Sequence, residues 1–299
     1  MTDAASRIDK AVAAYVGLAV GDALGATVEF MTPVQVRAAY GVHQSIVGGG
    51  WLNLSPGQVT DDTTMALALG RAILKAGHVD AWTIADAFSD WMDAGPVDIG
   101  TTVRRGIVRY CHTGDPRAPS DPHAAGNGAC MRVLPVALAT LGHPDCEVRA
   151  AVRAQGHITH NNALSDAACD CVVAMVQQAL EEAGREGVLA GPAARLVQDS
   201  PEFAFDGERR DHPGAYVVET LQAVLQALSA TDDFESCLVD VVNRGGDADT
   251  TGAIAGMLSG ALYGTDGIPT RWVRALDPSV HAACRRQAVK LIELARCGR

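Results

Sequence analysis

Two short stretches, nearly two hundred residues apart, carry the residue types best suited to chemistry. The first is Thr60-Asp61-Asp62-Thr63-Thr64, entered from Val59. The second is Asp247-Ala248-Asp249-Thr250-Thr251, entered through Gly245-Gly246. An apolar run follows each, Met65 to Leu74 in the first case and onward to about Gly264 in the second, and both runs read as helices. Hard oxygen donors therefore stand at two helix mouths. If these converge, four carboxylates and several hydroxyls share one small volume. Like charges that close together, away from bulk water, require protons or cations. Oxygen donors without thiolate or imidazole suit magnesium or manganese rather than zinc. The expectation is a two-metal site, Mn2+ or Mg2+, built from two helix N-termini.

Each motif alone has a plainer reading. Thr60 and Asp61 are N-cap types, and acids in a first turn complement the helix dipole. DADTT by itself also fits a cap or a calcium-like turn. Two adjacent acids nevertheless exceed what one cap needs. Successive helical side chains diverge by about 100°, so one carboxylate can bridge two cations while its neighbour binds one.

Four further stretches carry weaker signals. MDAGPVDIGTT (92–102) sets Asp93, Asp98 and Gly100 in a Pro/Gly turn before a helix, where Asp98 is either an N-cap or an acid–base group. GNGACMR (126–132) puts Gly-Asn-Gly at a helix entry, which is ordinary turn chemistry but also presents backbone N–H groups to an anion such as pyrophosphate. HITHNN (157–162) holds His157 and His160 three apart, read as substrate-stacking or helix-start histidines rather than metal ligands. Tyr216 follows a Pro-Gly break and belongs to core or pocket. The run Thr231 to Glu235 is simply a capped, solvated helix start.

These groups must be positioned by helices. Gly17, Gly21 and Gly25 lie four apart on a segment from Ile8 to about Leu24, and Gly252, Gly256, Gly260 and Gly264 repeat that spacing late in the chain. Each interior glycine costs a helix about 1 kcal/mol relative to alanine. A row at i, i+4, i+8 is one ridge of a helix, and stripping it lets a second backbone approach closely. The two rows are expected to pack tightly against neighbours, each other included. Residues 30–58 read as a long functional loop, and helical patterns return at 65–76, 80–93, 99–111, 130–141, 146–155, 162–184, 191–198, 214–229, 234–243 and 281–297. No strand alternation or βαβ rhythm intervenes, so the expected fold is all-α, one compact domain over 1–299.

The 299 residues are 20% charged and 48% hydrophobic, a globular composition. Lys+Arg 24 against Asp+Glu 35 gives a net charge of −11 without a basic run, which argues against nucleic acid. Eight scattered cysteines, an acidic N-terminus and no apolar stretch of the ~20 residues needed to span a bilayer point to a soluble cytoplasmic protein with reduced thiols.

Taken in order, GLAVGDALG (17–25), VTDDTTM, GNGACMR, ITH and NRGGDADTTGAIAGMLSGALYG resemble the ADP-ribosylglycohydrolase family over nearly the whole chain. The TDD and DxDTT pair is the specific part of the likeness. The resemblance implies an orthogonal all-helical domain with a dinuclear manganese or magnesium centre held by Thr60, Asp61, Asp62, Asp247, Asp249 and Thr250. It implies Asp98 as the catalytic carboxylate and Glu29 as a further ligand or gate. Gly100, Gly126, Asn127, Gly128, Met131, His160 and Tyr216 would contact substrate. Val59 departs from an aromatic residue common before Thr-Asp-Asp, which bears on the pocket wall rather than on metal binding.

The implied activity is hydrolysis of the bond between ADP-ribose and an arginine side chain, through an oxocarbenium-like transition state. GQVTDDT and the Pro-Val-Asp-Ile-Gly turn resemble members from nitrogen-fixing bacteria. That likeness implies nitrogenase iron protein as target, with control by a PII-type signalling protein and an ammonium channel that recruits the enzyme to the inner membrane. The alternatives are hydrolysis of another linkage or target, and a non-catalytic ADP-ribose-binding regulatory protein.

Overall fold

The computed structural model describes residues 4–297; the outermost residues of the expected 1–299 domain, 1–3 and 298–299, lie outside the described residues. Its helices are α1 (Ala4–Gly25), α2 (Pro33–Tyr40), α3 (Asp61–Ala76), α4 (Ala81–Asp93), α5 (Thr101–Thr113), α6 (Leu134–Ala139), α7 (Asp145–Gly156), α8 (Ala163–Leu180), α9 (Arg185–Val188), α10 (Ala194–Asp199), α11 (Val217–Ala230), α12 (Phe234–Val242), α13 (Ala248–Tyr263), α14 (Thr270–Ala275) and α15 (Pro278–Cys297). Among the described residues, β pairing is confined to two isolated bridges, Gly49 with Leu54 and Gly126 with Tyr216. The fold is all-α around one continuous apolar core.

The axis of that core is the pair α1 and α13, the most extensive helix contact in the molecule. Here the two glycine rows meet face to face. A Cβ on Gly21 would lie 1.9 Å from the Gly252 carbonyl oxygen, and one on Gly256 would lie 2.0 Å from that of Gly17. Such backbone-to-backbone approach explains why glycine recurs despite its cost in a helix. Gly264, the last of the late row, instead ends α13 at φ +70°. Because both helices are buried along most of their length, the pair acts as a rigid post. Helix α15 closes behind it through Gln287, whose side-chain amide donates to the Leu67 carbonyl of α3 at 2.9 Å.

Three local expectations change. Residues 30–58 contain α2: Thr32 and Gln35 form a reciprocal capping box, with Pro33 fixing the first helical φ. The span 130–141 is helical only over α6, which begins at the proline-compatible position before Pro135. The 191–198 pattern begins as a π turn, Leu189–Ala193, because Pro192 has no N–H to give the regular ladder. Helices α9 and α14, one turn and six residues long, had not been anticipated; such short pieces carry little periodic signal.

Candidate metal centre and substrate cavity

The N-termini of α3 and α13 meet. Thr60 Oγ1 lies 3.3 Å from Asp62 Oδ2 and 3.5 Å from Asp249 Oδ2, while Thr250 Oγ1 donates to Asp62 Oδ2 at 3.2 Å. Residues separated by 188 and 189 positions thus bridge the two motifs. Thr60 and Asp247 occupy the N-cap positions, yet neither side chain caps its own helix.

The capping of α3 comes from elsewhere. Asp22, fully buried on α1, accepts the Thr60 N–H at 3.0 Å through Oδ1, and the Thr63 N–H at 3.1 Å and hydroxyl at 2.5 Å through Oδ2. This frees the Thr60, Asp61 and Asp62 side chains for other work. Sequence reasoning missed Asp22, although a carboxylate inside an otherwise apolar, glycine-ridged helix is itself a signal, since unpaired acids are almost never fully buried.

The α13 mouth is held by its glycines. Gly245 and Gly246 adopt φ +66° and +67°, and a Cβ there would lie 1.9 Å from the Met31 carbonyl oxygen or 2.2 Å from that of Pro213. Gly246 exchanges backbone hydrogen bonds with Phe30 (2.6 Å) and Met31 (2.9 Å), and Asp247 N–H donates to Pro213 O at 2.8 Å. Buried Arg244 anchors the approach through Asp240 Oδ2 at 2.6 Å and Gln226 at 2.8 Å.

The acids are crowded and dry. Oxygens of Glu29, Asp247 and Asp249 lie within 4.8 Å of one another. Burial, reinforced by neighbouring acids, pushes Glu29 up to about 8 against the indole hydrogen bond from Trp51, and Asp61 up to about 7. Burial, partly offset by its hydrogen bonds, lifts Asp22 to about 6. Asp62 and Asp249 are driven well above the carboxylate range, first by burial and then by nearby carboxylates. Asp62 Oδ1 is buried without any hydrogen-bond partner. An orphaned carboxylate oxygen amid oxygen-only donors fits a hard divalent cation, which would satisfy it and relieve the repulsion.

A cavity of about 300 Å³ adjoins this cluster; Glu29, Asp61, Asp98, Asp247, Asp249 and Thr250 form its acidic side. Asp98 is half-buried on the turn before α5, with Oδ1 accepting its neighbour's N–H (Ile99) at 2.7 Å. Gly100 is the α5 N-cap and also lines the cavity. Asp93 is exposed at the end of α4.

The cavity is also lined by Gly126, Asn127, Gly128, Met131 and His160. Gly126-Asn127-Gly128 enters only a single 3-10 turn, Asn127–Ala129, and the Asn127 N–H is spent on Ala215 O at 3.0 Å. The Asn127 side chain instead donates to Asp247 Oδ2 at 2.7 Å. The flanking glycines leave room for a ring, since a Cβ at Gly126 would sit 3.0 Å from His160 Nε2 and one at Gly128 2.9 Å from Cε1.

His160 is fully buried and pushed down to about 3, by burial first and then by Arg132 and Arg105, so it is neutral. Its Nδ1 lies 2.7 Å from Thr159 Oγ1, which accepts from Arg132 at 2.8 Å. Among the described residues, Nδ1 is the one acceptor in hydrogen-bond reach of the Thr159 hydroxyl, so the tautomer with Nε2–H, facing the Gly126 side, is the one that satisfies both groups. Arg132 is itself buried without a carboxylate, satisfied by Gln155 and by the Gly128 carbonyl at 2.7 Å, and lies over the Phe88 ring. In the GNGACMR stretch nothing local marks this arginine for such a role, because its side-chain hydrogen-bond partners lie on α7 and the turn after it. His157 closes α7 and pairs with Asp166 at 3.0 Å. Ala215 lines the cavity, while Tyr216 stands beside it at the start of α11, 43% exposed. The helix start at Asp233, as expected, is a capped one, accepting the Ser236 N–H.

An all-α scaffold that gathers buried carboxylates and hydroxyls beside a cavity of about 300 Å³ has the make-up of a hydrolase site able to hold hard cations. The chain belongs to the ADP-ribosylglycohydrolase family, whose profile matches residues 3–297. It is 50% identical over 287 residues to ADP-ribosyl-[dinitrogen reductase] glycohydrolase of Rhodospirillum rubrum, covering 96% of this chain and 97% of that protein. It is 33% identical to ADP-ribosylarginine hydrolase Tri1 of Pseudomonas putida (strain GB-1), covering 92% of this chain and 76% of that one. A solved ADP-ribosylglycohydrolase-related protein complex superposes with a TM-score of 0.84 at 35% identity, covering 97% of this chain and 99% of the other. Among the described residues, no helix is long and apolar enough to cross a membrane.

Proposed function

We propose that the whole chain, 1–299, forms one catalytic unit that hydrolyses the N-glycosidic bond between ADP-ribose and an arginine side chain of a target protein. The observation that carries the reading is the junction of α3 and α13, where Thr60, Asp62, Asp249 and Thr250 interlock beside the cavity. Thr60, Asp61, Asp62, Asp247, Asp249 and Thr250 would hold two divalent cations, manganese or magnesium, with Glu29 as a further oxygen donor at the edge. Such cations supply Lewis-acid polarisation of ribose hydroxyls and water.

The remaining work belongs to the chain. Asn127 fixes the Asp247 carboxylate by its 2.7 Å hydrogen bond, and Asp22 fixes the first turn of α3. Gly126, Gly128, Met131 and the Nε2–H of His160 line the part of the cavity that would receive the nucleotide, with Gly100 in the same lining and Tyr216 at its margin. Asp98 lines the same cavity, close enough for its charge to act on Asp61 and Glu29, and with its neighbour's N–H as its hydrogen-bond donor among the described residues it would be free to exchange protons. In the hydrolysis the anomeric C–N bond breaks, water adds its oxygen to the anomeric carbon, and a proton passes to the leaving guanidine nitrogen. Asp98 would relay that proton.

The similarity to the R. rubrum glycohydrolase supports nitrogenase iron protein (dinitrogenase reductase) as the target. On the same resemblance, the proposal includes control by a PII-type signalling protein and an ammonium channel, with recruitment to the inner membrane. The test is hydrolysis of matched arginine- and serine-linked ADP-ribosyl substrates with Mn2+, Mg2+ or chelator. Release from the arginine substrate only, abolished by chelation, is expected. Metal-independent release, or preference for serine, would overturn it.

A further inference from the structure

Glu29 differs from the other acids of the cluster in what holds it. Asp61, Asp62 and Asp249 lie in the first turns of long helices, and Asp247 occupies the N-cap position of one, whereas Glu29 sits in the turn after α1, next to Phe30 at φ +62°. Among the described residues, the hydrogen bond to its carboxylate comes from Trp51, whose indole Nε1–H donates to Oε2 at 2.5 Å. Trp51 is half-exposed and tilts against Phe30, 59% exposed, with ring centroids 5.4 Å apart. Two large aromatics are thus left in water at the edge of the cavity, beside a buried acid.

The loop that carries Trp51 is built to hold it there. Gly48, Gly49 and Gly50 all have positive φ, and Gly49 and Leu54 exchange hydrogen bonds of 2.7 and 2.9 Å. Thr27 Oγ1 donates to Gly48 O at 3.1 Å, and a Cβ on Gly50 would lie 2.3 Å from Ala26 O. The triple glycine therefore lets the loop press directly on the turn that carries Glu29.

We infer that Trp51 is a positioning residue: its indole N–H commits one oxygen of Glu29, leaving the other for a cation or sugar hydroxyl at the Asp247–Asp249 edge. The inference rests on the metal-dependent reading above. Partners that orient a ligand in this way typically contribute 10- to 100-fold in metal affinity.

Trp51→Phe keeps an aromatic ring against Phe30 while removing the donor, so a purely packing role would leave Mn2+ affinity unchanged and show only in stability. Mn2+ binding is measured by calorimetry, without substrate, on wild type, Trp51→Phe, Glu29→Ala and the double variant, with circular dichroism confirming the fold. Trp51→Phe should bind Mn2+ about tenfold more weakly at one site, and should have no further effect once Glu29 is alanine. Wild-type affinity in Trp51→Phe, or an undiminished loss in the Glu29→Ala background, would overturn the inference while leaving the metal reading intact. Absence of Mn2+ binding by wild type would overturn both.

Discussion

At the scale of single residues, the division of labour among the acids follows from what each already touches. Asp22 spends both oxygens on the backbone and hydroxyl of α3, so it is structural, whereas Asp62 keeps one buried oxygen with no hydrogen-bond partner among the described residues. Asp98 lines the cavity and, among the described residues, accepts only its neighbour's N–H. Replacing Asp98 by alanine should therefore abolish turnover while Mn2+ and ADP-ribose still bind, as calorimetry beside a release assay would show; wild-type turnover would remove Asp98 from the chemistry. Replacing Asn127 by alanine should act differently, weakening Mn2+ binding about 10-fold or more through loss of its hold on Asp247, with ADP-ribose affinity in excess metal less affected. The oxygen donors were legible in the sequence because their types and spacing announce them. Asn127 was legible as a site residue but not as a partner of Asp247, since a contact across 120 positions depends on the fold. Arg132 and Asp22 were hidden for the same reason: their partners are backbone groups and hydroxyls that no local pattern marks.

At the scale of elements, two helices and one loop do the positioning. The α1–α13 pair was readable from glycine spacing alone, because only close backbone approach compensates for glycine inside two long helices. What spacing could not give was the register, Gly17 against Gly256 and Gly21 against Gly252. Helix α2 escaped because its signal is a capping box and a proline rather than an apolar stripe. Since α1 carries Asp22 and α13 carries Asp249, separating the two helices should damage fold and site together. Gly21→Ala, which sets a methyl 1.9 Å from the Gly252 oxygen, should lower unfolding free energy by at least about 1–3 kcal/mol in urea titration. It should also weaken Mn2+ binding, although it touches no ligand. A stable Gly21→Ala protein with unchanged metal affinity would show that this contact does not set the geometry of the centre.

At the scale of the whole molecule, the acid cluster sets how stability responds to pH and metal. Glu29 and Asp61 are raised to about 8 and 7, chiefly by burial, against ordinary carboxylates near 4 in the unfolded chain. Without cations the folded state therefore holds more protons than the unfolded state through this range. Stability must then fall as pH rises, and it goes on falling until the folded-state values have been passed. His160 works in the opposite sense: lowered to about 3, it adds stability that is present above the ordinary histidine value and lost as pH falls below it. Most of that contribution is in place by about pH 6.5 and nearly all of it by about pH 7.5, while the raised carboxylates are more numerous and oppose it across this range, so the carboxylates dominate. Divalent cations bound there would replace the protons, bind more tightly as pH rises, and stabilise by about 2.7 kcal/mol at one hundred times their dissociation constant. Calorimetric melting of chelator-treated protein should thus show Tm falling from pH 6.5 to 8, and saturating Mn2+ should abolish or reverse that fall. A Tm that rises with pH in chelator would mean that these carboxylates are already ionised in the fold, and that charge repulsion at the α3–α13 junction is relieved by something other than protons or metal.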